Sequence, residues 1–197
     1  DLTTYSKHII INMKIINHQL INEPFFIPDW DVKHLLIGTF NPEGGEPVNY
    51  YYGRQKNQTW KLLSNIFCCD LNPKSEDFFF LLKKNKIACI DMITQLKVSE
   101  NKIDKIIGKG FKDTEIINGT VERIYNTIAI QKLINENVGV KTYSTWGKGP
   151  DLKEWKEETE KIGKLIALVS PSMSAKVPKG SVKFDYMLDD WKQKIKH

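Results

Sequence analysis

Long apolar runs are missing from this chain. No stretch approaches the roughly twenty consecutive apolar residues that a membrane-spanning helix requires, so no membrane contact is expected. Cysteine is scarce. Cys68, Cys69 and Cys89 are the only three, they lack metal-ligand spacing, and the adjacent Cys68 and Cys69 cannot form an ordinary strain-free bridge. An odd number of thiols among apolar residues points to reduced, buried cysteines in a cytoplasmic protein, with no bound metal or cofactor. No phosphate-loop or dinucleotide fingerprint occurs, which leaves a nucleotide-binding α/β protein without support. There is no internal repeat and no low-complexity tract. Residues 1–12 do not begin with Met and contain no clear signal sequence. They are expected to be appended or disordered, with Met13 as the natural start.

What is present suits one globular domain spanning residues 1–197. The chain has 197 residues, 41% of them hydrophobic and 27% charged, enough for a sizeable core. A net charge of +5 and a pI near 8.9 permit binding to a polyanion, although the lysines are spread along the whole chain and read mostly as a solvated surface. Four apolar runs stand out at Leu35–Ile37, Ile87–Ile93, Val138–Ser144 and Leu165–Val169, and they read as buried strands. Helical periodicity is found from Trp60 to Phe67, Glu76 to Lys84, Val121 to Glu136, Asp151 to Ile162 and Phe184 to Ile195. Met13–Leu20 is ambiguous between helix and strand, Asn22–Pro28 reads as an extended lead-in, Lys97–Lys112 as a long polar connection, and Asp113–Ile117 as a short extended piece. The alternation of strand and helix indicates an α/β fold.

The richest stretch follows the first strand. Leu35-Leu36-Ile37 stops at Gly38-Thr39-Phe40-Asn41-Pro42-Glu43-Gly44-Gly45, and a polar aromatic segment, Tyr50-Tyr51-Tyr52-Gly53-Arg54-Gln55-Lys56-Asn57-Gln58, precedes Trp60. Loops leaving the carboxyl ends of parallel strands are where open α/β sheets hold their sites. Gly38 permits a sharp turn and a close approach. Asn41 and Asn57 supply non-titrating amides, the tyrosines supply flat faces, and Gly44-Gly45 could offer an N–H nest to an anion. Asp91 interrupts an apolar run, and a carboxylate there must be paired or face a site. The third strand ends at Thr145-Trp146-Gly147-Lys148-Gly149 and the fourth at Ser170-Pro171-Ser172-Met173-Ser174-Ala175-Lys176.

These four strand ends, in this order, resemble those of the uracil-DNA glycosylase superfamily, nearest its mismatch-specific uracil and hypoxanthine-DNA glycosylase branches. Asn41-Pro42 and Tyr51 to Trp60 resemble its first signature, with Arg54-Gln55 in place of a His-Pro and Thr59 in place of a Phe. Trp146-Gly147 resembles its Leu-Trp-Gly strand end, and Ser170-Pro171-Ser172 its DNA-gripping loop, with Ser170 at a His/Asn position and Lys176 at the terminal basic one. The resemblance implies a three-layer α/β sandwich with a short four-stranded parallel sheet and helices on both faces. It also implies a monomeric DNA glycosylase that hydrolyses the N-glycosidic bond of a flipped, deaminated base of uracil or hypoxanthine type, without a cofactor. Asn57 or Asn41 would position the water. Tyr52 would stack on the base, Asp91 would read its edge, and Ser170 with backbone N–H groups near Phe40 would stabilise its departure. Lys148, Ser172, Ser174, Lys176 and Lys179 would meet DNA. The competing expectation is a catalytically weak or inactive nucleic-acid-binding member of the same fold.

Overall fold

A computed structural model describes residues 12–21, 28–107, 113–117, 121–147 and 149–195. The expected lead-in at 22–27, the turn at 118–120, Lys148 and residues 1–11 lie outside the described residues. The central element is a four-stranded, all-parallel sheet. It comprises β2 (His34–Gly38), β3 (Ile87–Asp91), β6 (Lys141–Ser144) and the two-residue β7 (Ile166–Ala167), in the order β3-β2-β6-β7. Leu35, Leu36 and Ile37 in β2 are fully buried, because both faces of a parallel sheet are covered and its strands need apolar residues on each.

Alternation along the strands divides the core in two. Leu36, Ile87, Cys89 and Tyr143 face α1 (Thr59–Phe67), α2 (Phe78–Lys84) and α7 (Lys183–Ile195), through Leu62, Leu63, Phe78, Met187 and Trp191. Leu35, Ile37, Ala88 and Ile90 face α5 (Thr127–Glu136) and α6 (Lys153–Ile162), through Ile130, Leu133 and Trp155. The molecule is therefore the expected α/β sandwich, with helices on both faces of a short parallel sheet.

A second sheet extends it. β1 (Met13–Asn17), β4 (Ile93–Ser99) and β5 (Glu122–Tyr125) form an antiparallel sheet in the order β1-β4-β5. The chain passes between the sheets at Met92, whose N–H binds the Gly38 carbonyl and whose carbonyl accepts the Asn126 N–H. The helix expected from Val121 is thus β5 followed by α5. Val121, Ile124 and Tyr125 have helical spacing, but the unpaired edge of β4 draws residues 122–125 into a strand. Asp113–Ile117, expected to be extended, is the short helix α4, and the connection after β4 contains α3 (Ile103–Ile107). Of the cysteines, only Cys89 is buried. Cys68 is exposed at the left-handed end of α1 (φ 52°) and Cys69 is half-buried, because α1 ends at the surface.

The last helix anchors the end of the last strand. Trp191 Nε1 donates to the Val169 carbonyl at 2.8 Å, Asp190 Oδ2 accepts the Val169 N–H at 2.9 Å, and Lys194 Nζ donates to the Ala167 carbonyl at 2.7 Å. Two residues of strand would otherwise hold the following loop poorly. No helix among the described residues is long and apolar enough to cross a membrane.

Burial pushes the phenols of Tyr50, Tyr51 and Tyr52 well above the usual tyrosine range, and that of Tyr143 up to about 12. An unfolded tyrosine ionises near pH ~10, so above that pH unfolding releases protons and stability declines. Below it the contribution is complete. The urea midpoint is expected to fall between about pH 9 and pH 11 while the folded protein shows little phenolate absorbance from these residues. A flat midpoint across that range would contradict their burial.

Candidate active site

At the carboxyl ends of the parallel strands lies a cavity of about 380 Å³, within the range of small-molecule sites. Its lining includes Thr39, Phe40 and Asn41 after β2, Asp91 at the end of β3, Thr145 and Trp146 after β6, and Ser170 to Ser172 with Ser174 after β7. Tyr52, Arg54 and Asn57 come from the segment before α1, and Thr114 and Ile117 from α4. The residues singled out on the four strand ends therefore meet in one cleft. Lys176 and Lys179 are exposed and do not line it.

Asp91 forms the floor. It is 2% exposed and lies directly opposite Gly38 in the β2–β3 register. A Cβ on Gly38 would come within 2.2 Å of Asp91 Oδ1 and 3.0 Å of the Tyr52 hydroxyl, so the close approach itself requires glycine there. Asp91 Oδ2 accepts from His18 Nε2 at 2.7 Å and from Asn41 Nδ2 at 2.9 Å. Asp91, expected to read a base edge, lines the cleft with one oxygen engaged by the protein, because an almost fully buried carboxyl needs compensating donors.

The same bond orients Asn41. An acceptor at Asp91 selects the NH₂ end of the amide, so Oδ1 is directed away from it. Among the described residues no hydrogen bond reaches that oxygen. Asn57 is arranged the other way. Its Oδ1 accepts the Thr59 N–H at 2.8 Å, an Asx turn that starts α1, which leaves its NH₂ group as the available donor. The two amides, equivalent in sequence, thus present opposite polarity: Asn41 an acceptor, Asn57 a donor.

Tyr52 adopts φ 58°, a left-handed conformation that costs an aromatic residue on the order of 1–3 kcal/mol. It is held by its hydroxyl, 3.2 Å from Thr145 Oγ1. Thr145 Oγ1 in turn donates to the Ile37 carbonyl at 3.2 Å, so the Tyr52 O–H donates to Thr145. Burial raises the Tyr52 phenol well above its usual range, with the Cys89 thiol and Asp91 adding to the shift. Phe40 is 2% exposed and its ring packs edge-on against His18, so the side chain belongs to the core while its carbonyl accepts from Arg54 Nη2 at 2.9 Å. Arg54 brings a guanidinium cation to the wall of the cleft.

Two loops far apart in sequence form one rim. Asn57 pairs with Ser172 in an antiparallel bridge, the Gln58 N–H binds the Pro171 carbonyl at 2.9 Å, and the Met173 N–H binds the Lys56 carbonyl at 3.3 Å. Within the rim Ser170 Oγ accepts the Ser172 N–H at 3.4 Å, and the Ser172 and Ser174 hydroxyls pair at 2.8 Å. Met173 projects from it, 44% exposed. The Gly44-Gly45 turn does not form the expected anion nest. The Glu43 and Gly45 N–H groups bind the Asn17 and Pro42 carbonyls, because the turn packs on the end of β1.

Sequence reasoning missed His18, Arg54 and Thr145. Arg54 carried a signal as the cation interrupting the aromatic segment, and Thr145 as the neighbour of Trp146. His18 carried none, since only the β1–β4 pairing brings it to the site. Among the described residues no cluster of His, Cys, Asp or Glu could hold a metal ion. No protein-family model matches the chain, and no curated protein matches it.

Gly38→Ala is expected to destabilise the protein by about 1–3 kcal/mol, since Asp91 and Tyr52 must shift to admit the methyl group. Urea unfolding would show this as a lower midpoint with an unchanged slope. A wild-type midpoint would mean that the β2–β3 contact is looser than described.

Proposed function

We propose that the protein is a monofunctional DNA glycosylase that hydrolyses the N-glycosidic bond of a deaminated base, of uracil or hypoxanthine type, flipped out of DNA. The carrying observation is the polarity of the side chains lining the cleft: Asn41 commits its NH₂ group to Asp91 and keeps its oxygen as the available acceptor, while Arg54 and Asn57 bring a cation and a donor to the walls. A base inside a duplex cannot reach such a cavity and must be extruded into it. Tyr52 would stack on the base. Met173, exposed on the rim, suits a wedge against the vacated stack. Ser172, Ser174, Lys176 and Lys179 lie in the stretch that would follow the phosphates, and DNA is the expected partner of a monomer.

In this reading the C1′–N bond breaks with its electron pair leaving on the base. Arg54, Asn57 Nδ2 and the Ser170 hydroxyl stabilise that anion, the type of electrostatic help that dominates many enzymes. Water held by Asn41 Oδ1 then adds to C1′ and its proton passes to the departed base. An amide is a poor general base, so the water must be captured by a sugar that is already cationic. Arg54 strengthens leaving-base stabilisation beyond what the serine hydroxyl supplies.

One observation favours the weaker alternative, a nucleic-acid-binding module with little or no catalysis. The carboxyl lining the cleft has one oxygen bound to both His18 and Asn41, a structural use that competes with any role as a general base. Cleavage assays over oligonucleotides carrying uracil, hypoxanthine, xanthine or mispaired thymine distinguish the two. No cleavage of any by the unmutated protein would favour the binding module.

Asn41→Ala is expected to lower single-turnover cleavage by about 10²–10³-fold with duplex affinity retained. Asn57→Ala should also lose cleavage, and in addition about 0.5–2 kcal/mol of stability, because its Asx turn starts α1. Full activity in Asn41→Ala would remove the water-holding role, and a borohydride-trapped DNA adduct would replace the water route with an amine nucleophile.

Lys176→Ala should weaken duplex binding equally for all sequences and flatten the salt dependence of the affinity by about one unit of slope. An unchanged slope would place the phosphate contacts elsewhere.

A further inference from the structure

His18 lies outside every motif discussed above. It follows β1 in an isolated antiparallel bridge to Pro42 and is 1% exposed. Its ring is enclosed by Phe40, with centroids 5.5 Å apart, and by Tyr51 at 5.7 Å. Both ring nitrogens are engaged. Nδ1 receives the Leu20 backbone N–H at 3.0 Å, and Nε2 lies 2.7 Å from Asp91 Oδ2. A backbone N–H can only donate, so Nδ1 must present a lone pair. The proton is then on Nε2, which donates to Asp91.

We propose that His18 is a positioning residue which, through Asp91, sets the direction of the Asn41 amide and so gives the cleft an acceptor instead of a donor. The chain of bonds runs one way. Leu20 N–H donates to His18, His18 Nε2–H donates to Asp91 Oδ2, and the same oxygen accepts Asn41 Nδ2–H. Two N–H donors satisfy the one buried carboxyl oxygen and fix its position. If His18 no longer donates, the buried carboxyl loses the contact that fixes its position, and with it the hold on the Asn41 NH₂ group. The amide would then turn over and present NH₂ to the cleft, where a water that must release a proton finds no acceptor. Phe40 and Tyr51 pack against the ring that donates to Asp91, so packing and hydrogen bonding act on the same side chain. The catalytic part of this inference rests on the hydrolase reading; the amide-orienting part does not.

The test uses the full-length protein, with His18→Phe to keep a ring without a donor and His18→Gln to restore an N–H near the Nε2 position. In the wild type, nitrogen NMR of the His18 ring should show Nε2 protonated and Nδ1 unprotonated at neutral pH. The Asn41 side-chain NH₂ should be protected from exchange in the wild type and in His18→Gln, and lose protection in His18→Phe. Single-turnover cleavage should fall by roughly 10–100-fold in His18→Phe, the usual cost of removing an outer partner that orients a functional group. It should recover in His18→Gln, with duplex affinity the same in all three. A protonated Nδ1 in the wild type overturns the proposal. So does Asn41 protection that survives His18→Phe, or an equal loss of rate in both variants when folded, which would assign His18 to packing alone. If no deaminated base is cleaved at all, the hydrolase reading fails, while the ring tautomer and the Asn41 protection still decide the positioning role. If His18→Phe does not fold, the wild-type tautomer and His18→Gln carry the test.

Discussion

A buried carboxyl with two N–H donors on one oxygen is the interaction on which the rest of this structure depends. Asp91 terminates a strand whose other residues are apolar, and burying it without partners would cost several kcal/mol. Its partners come from separate parts of the fold: His18 after the first strand of the antiparallel sheet, and Asn41 from the loop after the central strand of the parallel one. Its backbone carbonyl accepts from Asn126 at the junction of β5 and α5. Groups from both sheets therefore converge on this residue. Gly38 makes the arrangement possible by contributing no side chain where the carboxyl lies. Size and polarity are matched at a single point, and the placement of Asn41 depends on it.

The rim of the cleft rests on a different principle. The strands of the parallel sheet are short, β7 having only two residues, and cannot by themselves orient long loops. Backbone pairing between residues 56–58 and 171–173 replaces the missing strand length, and α7 holds the base of the second loop through Trp191 and Asp190. Tyr52 is held in a left-handed conformation with its hydroxyl on Thr145. Such strain persists where the surroundings over-determine the residue, and such places are frequently functional sites.

The cleft's chemistry follows from which atoms the protein has already engaged. Asn41 and Asn57 are the same residue type in similar loops, yet the partner of each amide decides whether the cavity meets oxygen or nitrogen. A reaction that needs an oriented water and a stabilised anion, with no strong base, is compatible with that division. Under the proposed hydrolysis the larger share of the barrier would lie on the leaving group, where a guanidinium is more effective than a hydroxyl.

The sequence by itself determined the parallel sheet, most of the helices that cover it, and the strand ends that would form a site. Each of these depends on local periodicity and on glycine, proline and polar residues that interrupt apolar runs, which are local properties of the chain. It did not determine the antiparallel sheet. Val121, Ile124 and Tyr125 suit a helix as well as a strand, and the free edge of β4 settles the choice. Nor could it show that Asp91 faces inward to hold Asn41, or that Cys68 is exposed. Least visible was His18, a single histidine in an ambiguous segment. Its partners are 2 and 73 positions away, and only the packing of one sheet against the other brings its ring to Asp91. Hydrogen-bond direction belongs to tertiary structure because it depends on which groups meet, and a residue's own type leaves that open.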